Sequence, residues 1–133
     1  MLLIDTHVLV WLAADDARLG ARAKKRLTTA LGSDGVGVSA ITFWEVAMLV
    51  ERGRLKLRQK VEALRAAALK MPLEEVVVDG RIAILAANLG SFHGDPVDRI
   101  IAATALERGA TLVTSDERLL AWRGGAKLLD ASD

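Results

Sequence analysis

Four carboxylates, Asp5, Glu45, Asp98 and Asp116, are the residues whose types and positions could do chemistry. Two carboxylates about 4 Å apart repel by roughly 4 kcal/mol at an effective dielectric of 20. Four that converge would destabilise the fold or take up protons. A divalent cation reverses that repulsion. Oxygen donors in a chain with no Cys and no paired His favour Mg²⁺ or Mn²⁺ over zinc. An ion held there could lower the pKa of a water and neutralise charge developing on a phosphodiester. That is nuclease chemistry in which no side chain need be the nucleophile.

Taken singly, each acid also has a structural reading. Asp5 could cap a helix that starts at Thr6. Thr42-Phe43-Trp44-Glu45 has the spacing of a capping box. Asp95 before Pro96 reads as an N-cap, and Asp98 would be favoured by the helix dipole. Asp116 could simply start its helix, with Ser115 competing for the cap. Glu45 fits its structural reading least well, because Ile41, Met48 and Leu49 are apolar among its one-turn neighbours. A carboxylate on such a face needs a cation or hydrogen bonds to compensate it.

The acids need elements to hold them. Met1 to Ile4, Val36 to Ser39, Val76 to Val78 and Thr111 to Val113 read as short buried strands, with a weaker fifth from Lys127 to Leu129. Such runs, without alternation, suit a parallel sheet covered on both faces. Between them, Leu19, Ala23, Leu27 and Ala30 share one helical stripe, and Val61, Leu64 and Ala68 another that ends before Pro72. Arg81 to Leu89 is nearly all apolar, and Pro96 to Arg108 starts on proline and stops at Gly109. Strands alternating with helices give an α/β class. Right-handed crossovers imply a doubly wound sheet, with its ligand site beyond the carboxyl ends of the strands where strand order reverses.

With 133 residues, one core suffices and one domain spanning 1–133 is expected. The absence of Cys removes disulfides, thiolate metal sites and Cys nucleophiles together, and fits a cytoplasmic protein. No basic leader precedes the first apolar run, and the longest uncharged apolar stretches fall far short of the ~20 residues of a spanning helix. Membrane insertion is not expected. The net charge of +1 argues against binding nucleic acid by bulk charge.

Together the residues resemble the PIN-domain ribonucleases, most closely the VapC-type toxins of toxin–antitoxin pairs. The likeness spans the chain. It rests on Asp5-Thr6-His7, on Ser39 with Trp44-Glu45-Val46-Ala47, on His93 to Arg99, and on Gly109 to Asp116. It implies a three-layer fold with a central parallel sheet of about five strands. It also implies RNA cleavage by an activated water with Mg²⁺ or Mn²⁺, leaving a 3′-hydroxyl and a 5′-phosphate. By this resemblance Asp5 and Asp98 are the main metal ligands. Glu45 and Asp116 complete the pocket, Thr114 accompanies the last acid, and Thr6 and Arg99 are supporting residues. A homodimer and a small cognate antitoxin are implied as well.

Several other features have two readings each. The five bases from Arg18 to Arg26 could be a solvated helix face or a phosphate-contacting rim, with Arg18, Arg22, Lys25 and Arg26 on one side. In Arg52, Arg54, Lys56 and Arg58, with Leu55 and Leu57 between, an extended chain would separate leucines from bases. Arg99 could orient Asp98, touch a phosphate or form a structural ion pair. His93 reads as a loop hydrogen-bonder. Trp11, Trp44 and Trp122 read as core or dimer contacts. Two rival functions compete with nuclease activity. One is a receiver-like phosphoacceptor domain using Asp79, which leaves Glu45 and Asp98 without roles. The other is a catalytically inactive RNA-binding PIN domain, which would have lost an acid; all four are present.

Overall fold

The computed structural model describes residues 1–92 and 94–133, so the reading of His93 falls outside the described residues. Five parallel strands form one sheet: β1 (Leu2–Ile4), β2 (Val36–Ser39), β3 (Glu74–Val76), β4 (Thr111–Thr114) and β5 (Lys127–Asp130). Their order is β3-β2-β1-β4-β5. Leu3 pairs with Gly37 on one side and Leu112 on the other, so β1 is central. The chain runs outward from β1 through β2 to β3, then crosses to β4 and β5. Strand order thus reverses between β1 and β4, and their carboxyl ends open the crevice expected for a ligand.

Alternation along β1 divides the core. Leu2 and Ile4 face one apolar layer with Val8, Leu9, Leu27 and Leu64, whereas Leu3 faces the other with Ile101, Leu112 and Leu119. The first layer is built on α1 (Thr6–Ala14), α2 (Ala21–Leu31), α3 (Ala40–Glu51) and α4 (Val61–Lys70). The second is built on α5 (Gly80–Ala87), α6 (Pro96–Arg108) and α7 (Glu117–Leu120). Helix α3 contacts α1, α4 and α6 and so joins the two layers.

Two expectations are corrected. The third strand lies at Glu74–Val76 rather than Val76–Val78. It is an edge strand, paired with β2 alone, so it need not be apolar. Glu74 pairs with Arg108 at 2.6 Å and Glu75 with Arg65 at 2.7 Å, while Val77 is exposed. Helix α3 begins at Ala40 with Ser39 as its cap, the Ser39 hydroxyl accepting from Ile41 N at 3.2 Å. Thr42 therefore lies inside the helix, buried, and receives the Thr6 hydroxyl at 3.4 Å. The capping-box reading of Glu45 fails, which leaves its carboxylate without a capping duty.

The basic segments also resolve. Arg18 precedes α2 and turns back onto Asp16 at 2.7 Å and over the Trp11 ring at 5.2 Å. Lys24 pairs with Asp15. After α3 the leucines and bases separate as alternation predicts: Leu55 and Leu57 pack on the core, and Arg52, Arg54, Lys56 and Arg58 are exposed. Trp11 and Trp122 are buried, but Trp44 is 55% exposed and is no core residue.

Candidate active site

Asp5 follows the last residue of β1 and caps α1. Its Oδ1 accepts from Val8 N at 3.0 Å, and its Oδ2 accepts the Thr114 hydroxyl. That same hydroxyl oxygen accepts from Asp116 N at 3.0 Å. Thr114, the last residue of β4, thereby ties two acids together. Asp116 caps α7, its Oδ1 accepting from Arg118 N at 2.8 Å and Leu119 N at 3.3 Å. Ser115 does not take the cap. Asp95 caps α6 by accepting from Val97 N at 3.0 Å and Asp98 N at 3.1 Å, which places Asp98 in the first turn. Glu45 comes from the second turn of α3.

The structural readings of Asp5, Asp95 and Asp116 are thus correct, and the functional reading is compatible with them. The Asp5 and Asp116 caps fix their carboxylates at strand-to-helix junctions, the Asp95 cap precedes α6 on the segment that follows α5, and all three line the crevice. Asp5, Glu45, Asp98 and Asp116 all line one cavity of about 300 Å³, together with Thr6, Asp95 and Arg118. Asp79, by contrast, caps α5 by accepting from Ile82 N at 3.0 Å and does not line this cavity. A phosphoacceptor reading therefore places its acceptor outside the acidic cavity.

Convergence has an electrostatic signature. The Asp98 carboxyl is pushed up to about 7, first by burial and then by repulsion from Asp95, Asp116, Glu45 and Asp5. Asp5 is also raised, chiefly by burial, against the opposing hydrogen bonds from Thr114 and Val8. At Asp116 burial works upward as well, but the backbone donors of Arg118 and Leu119 and the Arg118 charge prevail, so it is lowered. These acids sit in unlike electrostatic settings within one cavity, a pattern common at catalytic centres.

The donor set suits a hard divalent ion, being all oxygen, and the raised Asp98 carboxyl marks negative charge that such an ion would relieve. Among the described residues, however, no group of three or more His, Cys, Asp or Glu side chains stands ready to hold a metal as placed.

One residue is placed differently from its sequence reading, and one was missed. Arg99 does not line the acidic cavity. Its Nε donates to Ala86 O at 2.9 Å, and its Nη atoms donate to Phe92 O, Ala87 O and Leu89 O at 3.1 to 3.2 Å. These bonds secure the end of α5 and the segment that follows. Arg118 was not singled out, although its Nη2 lies 3.7 Å from Asp98 Oδ2 and 3.6 Å from Asp116 Oδ2. Its position two residues after a capping acid at a strand end was the available signal.

A parallel sheet with an acidic crevice at its reversal point, built from caps on three helices, describes a nuclease-like α/β domain. The PIN domain model matches residues 2–123, and the chain belongs to that family. Ribonuclease VapC22 of Mycobacterium tuberculosis is 38% identical over 122 residues, covering 91% of each chain. Among solved structures, VapBC2 from Rickettsia felis, bound to a DNA fragment from its promoter, superposes with a TM-score of 0.72. It is 18% identical and covers 96% of both chains. DNA-bound VapBC from Salmonella typhimurium gives 0.70 at 22% identity over 98% of both chains. The likeness to these structures shows the three-layer fold.

Proposed function

We propose that this protein is a metal-dependent endoribonuclease and the toxin of a toxin–antitoxin pair, folded as one PIN domain over residues 1–133. The observation that carries the reading is the meeting of Asp5, Glu45, Asp98 and Asp116 in one cavity at the reversal point of a PIN sheet. The 38% identity to a VapC ribonuclease over most of both chains supports RNA as substrate, and the VapBC complexes among the structural neighbours support an antitoxin partner. A homodimer and a cytoplasmic setting complete the proposal; among the described residues no helix is long and apolar enough to cross a membrane.

Asp5 and Asp98 would hold Mg²⁺ or Mn²⁺, with Glu45 and Asp116 joining directly or through water. When bound, the ion would activate a water and offset charge developing on the phosphodiester. The chain's own residues prepare for it unequally. Asp116 stays ionised through neutral pH because backbone donors hold its charge. Asp5 is fixed in orientation by Thr114 and Val8. Asp98 carries a proton for much of the time near pH 7 and must release it to become a ligand.

The experiment is incubation of the purified protein with a structured RNA and Mn²⁺, followed by end analysis. Cleavage leaving 5′-phosphate and 3′-hydroxyl ends, arrested by EDTA and restored by added Mn²⁺, is expected. Cleavage that continues undiminished in EDTA would overturn the metal-dependent reading.

A further inference from the structure

Arg118 places a guanidinium against the acidic cavity, and the function proposed above gives it no role. Its Nη2 stands 3.6 to 3.7 Å from one oxygen each of Asp116 and Asp98, close enough for ion pairing and too far for good hydrogen bonds. The Arg118 backbone is fixed, because its N–H donates to the Asp116 cap at 2.8 Å. The side chain is 60% exposed. It borders a second cavity of about 240 Å³ beside Phe92 and Trp122, so it has space to leave the acids. An exposed, loosely docked pair of this kind is weak and readily exchanged for a better cation. A guanidinium also matches two phosphate oxygens in a way that a carboxylate pair at this spacing does not exploit.

We propose that Arg118 is the site's exchangeable cation: it neutralises Asp98 and Asp116 while no metal is bound, and on metal binding it is released to hold the scissile phosphate. The inference rests on the ribonuclease reading of the same cavity. It makes Arg118 a catalytic residue that touches substrate and, before that, a competitor of the metal.

The two halves predict opposite effects of one substitution. In Arg118→Gln the acids lose their resident cation, so Mn²⁺ measured by calorimetry without RNA should bind about threefold to tenfold more tightly, as expected for loss of a weak exposed pair. With Mn²⁺ saturating, kcat for RNA cleavage should nevertheless fall at least about tenfold, with KM changing much less, because the lost contact strengthens as charge develops on the phosphate. Arg118→Lys, which keeps the charge and loses the fork, should recover part of kcat and bring Mn²⁺ affinity back to the wild-type value. Unchanged or weaker Mn²⁺ binding in Arg118→Gln overturns the competitor role, and unchanged kcat overturns the phosphate role; either result rejects the proposal. If wild-type protein binds Mn²⁺ but cuts no RNA, the ribonuclease reading fails with the phosphate role, while the binding comparison still decides whether Arg118 competes with the ion.

Discussion

Thr114 shows how much one hydroxyl can organise. It donates to the buried carboxylate of Asp5 and accepts from the backbone of Asp116, so it sets the spacing between acids from the two strands flanking the crevice. Thr114→Val keeps the shape and removes both bonds, leaving buried polar groups unpaired; a loss of about 1–3 kcal/mol in denaturant unfolding is expected, with reduced cleavage even at saturating Mn²⁺. Thr114→Ser should retain most of both. Asp98 makes a pH prediction whose sign follows from its raised carboxyl. The native state holds a proton that the unfolded chain releases near pH 4, so Asp98 favours the native state at low pH, and that contribution fades as pH rises through about 7. Metal-free protein should therefore lose on the order of 1 kcal/mol between pH 5 and pH 8 from this group, the full shift being discounted for partial exposure. Asp98→Asn should flatten that dependence in a thermal-melt series, and a melt equally pH-sensitive in Asp98→Asn would contradict it. The four acids that line the cavity were readable in the sequence by different signals: Asp5 and Asp116 follow strands, Asp98 falls in a helix first turn, and Glu45 stands on an otherwise apolar helix face. Arg118 was not, because a lone Arg in a polar turn has the same appearance whether its side chain meets solvent or a carboxylate pair.

At the scale of elements, caps connect fold and function. Asp5, Asp95 and Asp116 each start a helix by accepting from its free N–H groups, and the same junctions form the crevice wall. Helix α6 is bounded as its sequence suggested, from Pro96 to the left-handed Gly109 at φ 58°. Nothing stands within 4 Å of a Cβ built at Gly109, so Gly109→Ala should cost about 1 kcal/mol from backbone strain alone, measurable as a lower unfolding midpoint. The strands buried on both faces were legible as apolar runs. The edge strand β3 was placed two residues late, because it begins on two glutamates that find arginines on α4 and α6, and an apolar run does not mark it. The start of α3 was misplaced for a related reason. Ser39 and Thr42 can both cap, and what decides between them is the burial of Thr42 against Thr6, a contact between residues 36 positions apart.

For the whole molecule, the net charge of +1 conceals a separation. Setting aside the four site acids leaves 18 bases against 13 acids, an exterior of +5 around a centre of −4. Part of that exterior is internally compensated, since Arg18 and Lys24 pair with Asp16 and Asp15. Arg52 and Arg54 have no ion-pair partner among the described residues and border another cavity, of about 300 Å³, that shares Glu45 and Asp95 with the acidic one. RNA affinity measured in EDTA should accordingly fall as salt rises, and Arg52→Glu with Arg54→Glu should weaken it and flatten the salt dependence. The central claim, that the converging carboxylates form one metal-dependent ribonuclease centre, is tested most directly by the cleavage rate of Asp98→Asn under saturating Mn²⁺, alongside a melt showing that it is folded. A folded variant with cleavage reduced at least about a hundredfold is the predicted result, and a folded Asp98→Asn that cuts RNA as fast as wild type would contradict the account.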